Sequence, residues 1–87
     1  MRFEFDPVKS EANASKHGID FAEAQAIWRD ANRLELASRY PDEPMQLVIG
    51  QVGDRVWTAI VTQRKGMVRL ISVRRARENE RALYEEQ

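Results

Sequence analysis

The chain contains no cysteine. Disulfides, zinc–thiolate sites and thiol catalysis are excluded together. It contains one histidine, His17, and nothing in the spacing around it suggests a serine–histidine–acid triad. There is no glycine-rich phosphate loop. The acidic residues do not cluster with His17 in a metal-ligand pattern, so neither a metal site nor another cofactor is expected. No apolar run approaches the ~18 residues that a membrane helix needs. Residues 1–20 lack the apolar core of a secretion signal. The expectation is a cytoplasmic protein that makes no membrane contact.

Net charge is also absent: fourteen basic residues balance fourteen acidic ones. The distribution is uneven. Arg64, Lys65, Arg69, Arg74, Arg75 and Arg77 fall in one stretch that contains no acid. Arginine outnumbers lysine eleven to three, and its planar fork can hold two phosphate oxygens at once. The plainer role for any one of these arginines is a solvated charge on a strand face, in a local ion pair.

Eighty-seven residues, 43% of them hydrophobic, suit one small domain over 1–87. Arg2–Phe5 alternates like a short strand. Asp6 and Pro7 open a helix over 7–17, with Val8 and Ala12 as a weak apolar stripe and Gly18 as its stop. Asp20 and Glu23 resemble a capping box. Phe21, Ala24, Ile27, Trp28 and Ala31 then predict an amphipathic helix of about three turns. Strands are predicted around Leu34 and Leu36, over 45–52, over 55–63 and over 67–75. Tyr40–Pro44 reads as a loop, Gly53-Asp54 as a hairpin turn and Lys65-Gly66 as another. The last strand is apolar on both faces in its middle, which suggests an interior position. Residues 77–86 read as a final helix with Ala76, Glu80, Leu83 and Tyr84 on one side. The fold class is α+β: a short N-terminal strand, two helices, an antiparallel β-meander and a C-terminal helix. Trp28 and Trp57 lie on apolar faces and are assigned to the core.

Three groups of residues can carry chemistry. Lys16 and His17 end the first helix, Arg64 ends one strand, and Arg74 and Arg75 end the next, followed by Arg77, Arg81 and Tyr84. Adjacent strand residues point to opposite faces. One of Arg74 and Arg75 therefore meets the site and the other meets solvent or a carboxylate; sequence leaves the choice open. A helix C-terminus favours a charged imidazole, and Lys16 opposes it. His17 is thus either a proton carrier or a helix cap. This kit fits cleavage of RNA through its own 2′-hydroxyl, where the protein supplies a base, an acid and cations for the developing phosphate charge.

Three motifs occur together: F-D-P-V-K at 5–9, N-x-x-K-H-G-I-D-F at 13–21, and I-S-V-R-R-A-R-E-N-E-R-A-L-Y-E at 71–85. As an ordered set covering nearly the whole chain they resemble the BrnT toxins of bacterial type II toxin–antitoxin systems. Phe5 stands where a tryptophan is common, and Val73 where alanine is frequent. The resemblance implies a RelE-like fold and a metal-independent ribonuclease that inhibits translation. It implies a BrnA-like antitoxin as partner, and contact with operator DNA only through the antitoxin complex. Carried over by motif, the site would comprise Lys16, His17, Arg64, Arg74, Arg75 and Tyr84. Lys16 or His17 would move a proton, Arg64 and one of Arg74 and Arg75 would hold the scissile phosphate, and Tyr84 would stack on a base or pack the last helix. In the K-H-G-I context His17 reads as a working group that also ends the helix. Two other readings stand beside this one: a non-catalytic nucleic-acid-binding module, and a protein-interaction subunit with a cationic docking face.

Overall fold

Asp6 has an extended backbone, and its Oδ1 accepts the Val8 N–H at 2.9 Å, which satisfies one of the free amides at a helix start. Pro7 follows at the first helical position, and helix α1 runs Pro7–His17. It stops at Gly18, whose φ of 84° is left-handed and whose N–H bonds back to the Ala14 carbonyl. The computed structural model describes residues 1–37 and 44–87. The loop expected at Tyr40–Pro44 therefore lies, except for Pro44, outside the described residues.

The predicted apolar stripe of α1 is not what packs. Val8 and Ala12 are exposed, and the buried face carries Ser10 and Asn13. Ser10 Oγ accepts the Phe21 N–H at 2.9 Å. Asn13 donates to the carbonyls of Ile19 and Val73, at 2.8 and 2.9 Å, and accepts the Val73 N–H at 3.1 Å. A side-chain amide has two donors and an acceptor, so two of these bonds stitch the helix to a strand sixty residues away and the third holds the segment just after it. The helix is held by buried polar side chains that are each hydrogen-bonded, as buried polar groups require.

The second predicted α-helix is instead a 3₁₀ helix, Glu23–Arg29. Asp20 and Glu23 do form the reciprocal pair: the Asp20 N–H donates to Glu23 at 3.0 Å and the Glu23 N–H donates to Asp20 at 2.7 Å. The turn that follows is tighter than expected. Phe21, Ala24 and Ile27, spaced by three, are all buried, and a three-residue period is the period of a 3₁₀ helix. Ala31 lies beyond the helix and is exposed. Trp28 is half-buried with its ring edge-on to Phe3, centroids 4.9 Å apart.

Five strands form one sheet among the described residues: β1 (Phe3–Glu4), β2 (Leu34–Ala37), β3 (Met45–Val52), β4 (Arg55–Arg64) and β5 (Met67–Arg75), in the order β1-β5-β4-β3-β2. Strands β2 to β5 make the antiparallel meander, and β1 joins β5 in parallel. Strand β5 is interior, as its two-sided apolar middle suggests. Gly53 (φ 64°) lets the chain turn between β3 and β4, where Val52 pairs with Arg55. The core lies on the face shared with α1 and the 3₁₀ helix. It contains Ile19, Phe21, Ala24 and Ile27 against Val48, Trp57, Ala59, Val61, Val68, Leu70 and Val73. Gly50 lets the 3₁₀ helix close on β3, because a Cβ there would lie 2.8 Å from Ile27 Cγ2.

One irregularity in this sheet decides where the arginines go. Val61 pairs with Leu70, but the next residue back, Ile60, pairs with Ser72. Ile71 is thus an extra residue on β5, a β-bulge. It shifts the alternation by one, so that Val68 and Leu70 on one side of it and Val73 on the other all face the core.

Helix α2 (Glu78–Glu85) closes the described chain on the opposite face of the sheet. Its buried side chain is Glu80, at 5% exposure, whereas Leu83 is 45% exposed and does not join the packed side expected of it. Among the described residues no helix is long and apolar enough to cross a membrane.

Candidate active site

The bulge at Ile71 puts Arg75 opposite Trp57 on the core side of the sheet, and Arg74 opposite Thr58 on the α2 side. Arg74 meets the carboxylate. Its Nη1 and Nη2 donate to Glu80 Oε1 and Oε2 at 2.7 and 2.9 Å. Glu80 Oε1 also accepts from Thr58 Oγ1 at 2.9 Å and from the Arg77 N–H at 2.8 Å. Burial by itself would raise the Glu80 carboxyl. The bonds from Arg74, the Arg77 backbone and Thr58 outweigh it and hold Glu80 down at about 2. Arg74 is thereby a structural cation that ties the end of β5 to the start of α2.

Arg75 is differently placed. It is exposed, and among the described residues it pairs with no carboxylate. Its guanidinium carbon lies 5.6 Å from the centroid of the Trp57 ring, within cation–π range. It lines an open pocket of about 310 Å³ at the end of the sheet, between the β3–β4 hairpin and α2. Arg55, Arg81 and Tyr84 share the lining, with Asp54 and Glu85 as its acids. Arg75 of β5, Arg55 of β4 and Arg81 of α2 thus line one opening together with two acidic residues.

Tyr84 forms one wall of this pocket. Its hydroxyl donates to Asp30 Oδ2, and the same oxygen accepts the Gln51 N–H at 2.8 Å. Burial works against the Asp30 carboxylate, but Tyr84, then the backbone N–H groups of Gln51 and Asn32 and the charge of Arg33, hold it below the usual carboxylate range. Conversely, the hydrogen bond to Asp30, then burial, pushes Tyr84 up to about 12. The phenol is therefore a fixed donor at ordinary pH.

The other expected site residues divide. Lys16 and His17 end α1, and Asn13 pins that helix to Val73, two residues before Arg75. Neither Lys16 nor His17 is among the residues that line the pocket beside Arg75. Arg64 is not brought to this end. It pairs with Met67 at the β4–β5 turn, whereas Arg74 and Arg75 pair with Thr58 and Trp57. The six positions from Thr58 to Arg64 span about 20 Å of strand. Arg64 therefore lies at the opposite end of the hairpin from Arg74 and Arg75.

Sequence reasoning missed Arg55, which enters the pocket because the Gly53-Asp54 turn brings the start of β4 beside the end of β5. It also missed Glu80, Asp30 and Asn13 as the groups that fix Arg74, Tyr84 and α1. A glutamate six residues after Arg74, at the third position of the last helix, was the signal available for the first of these. For Asn13 and Asp30 there was no local signal, because their partners are distant in the chain.

Among the described residues no three His, Asp or Glu side chains are grouped to hold a metal ion. No curated protein sequence gives a significant match to the chain. A family model, described as the ribonuclease toxin BrnT of type II toxin–antitoxin systems, matches residues 5–80. That span contains the K-H-G-I segment, the bulged strand β5 and the Arg74–Glu80 tie, and the chain belongs to the BrnT family of ribonuclease toxins, whose systems pair a toxin with an antitoxin.

Proposed function

We propose that the chain is a metal-independent endoribonuclease of RelE-like fold that blocks translation by cutting RNA and is held inactive by a BrnA-like antitoxin. The observation that carries this reading is Arg75: a guanidinium without a carboxylate partner among the described residues, at a pocket with two further arginines. In the reaction the 2′-oxygen of the RNA attacks the adjacent phosphorus and the bond from phosphorus to the 5′-oxygen breaks. A base takes the 2′-hydroxyl proton, and an acid returns a proton to the departing 5′-oxygen. The products are a 2′,3′-cyclic phosphate and a 5′-hydroxyl. Arg75 holds the non-bridging oxygens as their charge grows. His17 or Lys16 carries a proton. The Tyr84 ring offers a face for a base, and Asp30 occupies its hydroxyl. Arg74 serves the site indirectly, by fixing the strand end from which Arg75 projects. Arg64 has no part in this cluster. Operator DNA is contacted by the antitoxin within the complex.

The test is to incubate purified protein with RNA in excess EDTA and to identify the product ends. Cutting that persists and leaves 2′,3′-cyclic phosphates supports the proposal. Loss of all cutting under EDTA, or 3′-hydroxyl ends, contradicts it. Growth arrest on expression, relieved by the neighbouring reading frame, tests the toxin role in cells.

A further inference from the structure

We propose that Arg55 and Arg81 form a second phosphate subsite, which holds the backbone of the nucleotide next to the one that is cut. The proposal rests on the ribonuclease reading above and assigns a ligand to the part of the pocket which that mechanism leaves unused.

Arg55 begins β4 directly after the hairpin turn, Arg81 lies in the middle of α2, and both line the same opening as Arg75. Arg55 is exposed and pairs with no carboxylate among the described residues. The partner of Arg81 is Glu85, at 3.8 Å, with side-chain exposures of 52% and 65%. Such a wet pair contributes little and is easily exchanged for a stronger anion. The space, about 310 Å³, is larger than one phosphate needs and lies at the small end of ligand-sized sites. A single carboxylate from a partner protein would occupy one guanidinium fork. Three arginines and a tyrosine lining one opening match a polymer that alternates phosphates with bases. The geometry points to single-stranded RNA passing from Arg75 between the hairpin and α2.

The test uses a fluorescent 2′-O-methyl oligoribonucleotide, which the enzyme cannot cut because the nucleophile is blocked. Its affinity is measured by anisotropy from about 50 to 200 mM salt. The proteins are the unmodified chain, Arg55→Ala, Arg81→Ala, the double variant, and Lys9→Ala as a charge-matched control at the start of α1. The slope of log K against log salt should fall in magnitude by about 0.7 for each pocket arginine removed, and Lys9→Ala should leave it unchanged. An unaltered slope in the double variant, with its circular dichroism intact, overturns the subsite. So does an equal fall in Lys9→Ala, which would mean diffuse attraction. The two readings separate cleanly. Binding that depends on Arg55 and Arg81 in a protein that never cuts ordinary RNA would refute the nuclease and keep the subsite. Metal-free cutting with unchanged slopes would do the reverse.

Discussion

Arg74 and Glu80 are joined by two parallel hydrogen bonds, 2.7 and 2.9 Å long, with the carboxylate almost fully buried. Neighbouring Arg75 makes no such bond among the described residues, so the two adjacent arginines should fail differently. Arg74→Ala leaves Glu80 buried without its cation and should cost about 2–3 kcal/mol of stability. Arg75→Ala loses only the contact with Trp57, about 0.5–1 kcal/mol, yet should abolish most cleavage. Urea unfolding and a cleavage assay on both variants check this. Equal losses of stability would refute the division of roles.

Glu80 also sets an acid limit. Its carboxyl is lowered from 4.5 to about 2 in the folded protein, so the unfolded chain binds the proton more readily. The stability it contributes is fully present above pH 4.5 and is lost as pH falls toward 2. Asp30, lowered as well, adds to the same trend. In Glu80→Gln the loss between pH 5 and 3 should be shallower than in the unmodified chain, from a lower starting stability. Unfolding midpoints measured across that range decide it.

Tyr84 offers a separation of ring from hydroxyl. The phenol donates to Asp30 and is pushed up to about 12, so it carries no proton in a reaction near neutrality. Tyr84→Phe should lower stability by about 1 kcal/mol and leave the pH–rate profile unchanged. Tyr84→Ala removes the pocket wall and should weaken RNA binding as well. A shifted pH profile in the phenylalanine variant would make the hydroxyl a participant after all.

Asn13, at 7% exposure, fastens α1 to β5 through two bonds with Val73, and its third bond holds Ile19. Asn13→Ala strands the buried Val73 and Ile19 backbone groups and should cost on the order of 2–3 kcal/mol. Because Lys16 and His17 ride on that helix, cleavage should fall even under conditions where the variant stays folded. Asn13→Asp keeps the acceptor for the Val73 N–H but turns a carboxylate toward two carbonyls, and should be no better.

Much of this was written locally in the chain. Asp6, Pro7 and Gly18 bound α1, the two glycine-containing turns fix the meander, and the limits of β3 and β5 fall where the alternation starts and stops. What could not be read locally depended on distant partners. Val8 and Ala12 looked like the inner face of α1 because they are apolar; Ser10 and Asn13 took that face because Phe21 and Val73 present backbone groups that only polar side chains satisfy. The segment after Asp20 reads as an α-helix because spacings of three, six, seven and ten suit both helix types. The family motifs group Arg64 with Arg74 and Arg75, whereas the hairpin sets Arg64 at its other end. The choice between Arg74 and Arg75 turned on Ile71, whose displacement from the ladder has no signature of its own in the sequence.

That extra residue makes parity a property of the strand. Leu70 and Arg75 are five positions apart, an odd count, yet they share a face; in a regular strand an even count would be needed. Gaining or losing one residue in this segment would send the lone guanidinium to the α2 side and turn its structural neighbour toward the indole. Relatives should therefore tolerate changes of side chain between Leu70 and Arg75 far better than changes of length. A homologue one residue shorter here would need its cation displaced by one place to act on the same phosphodiester.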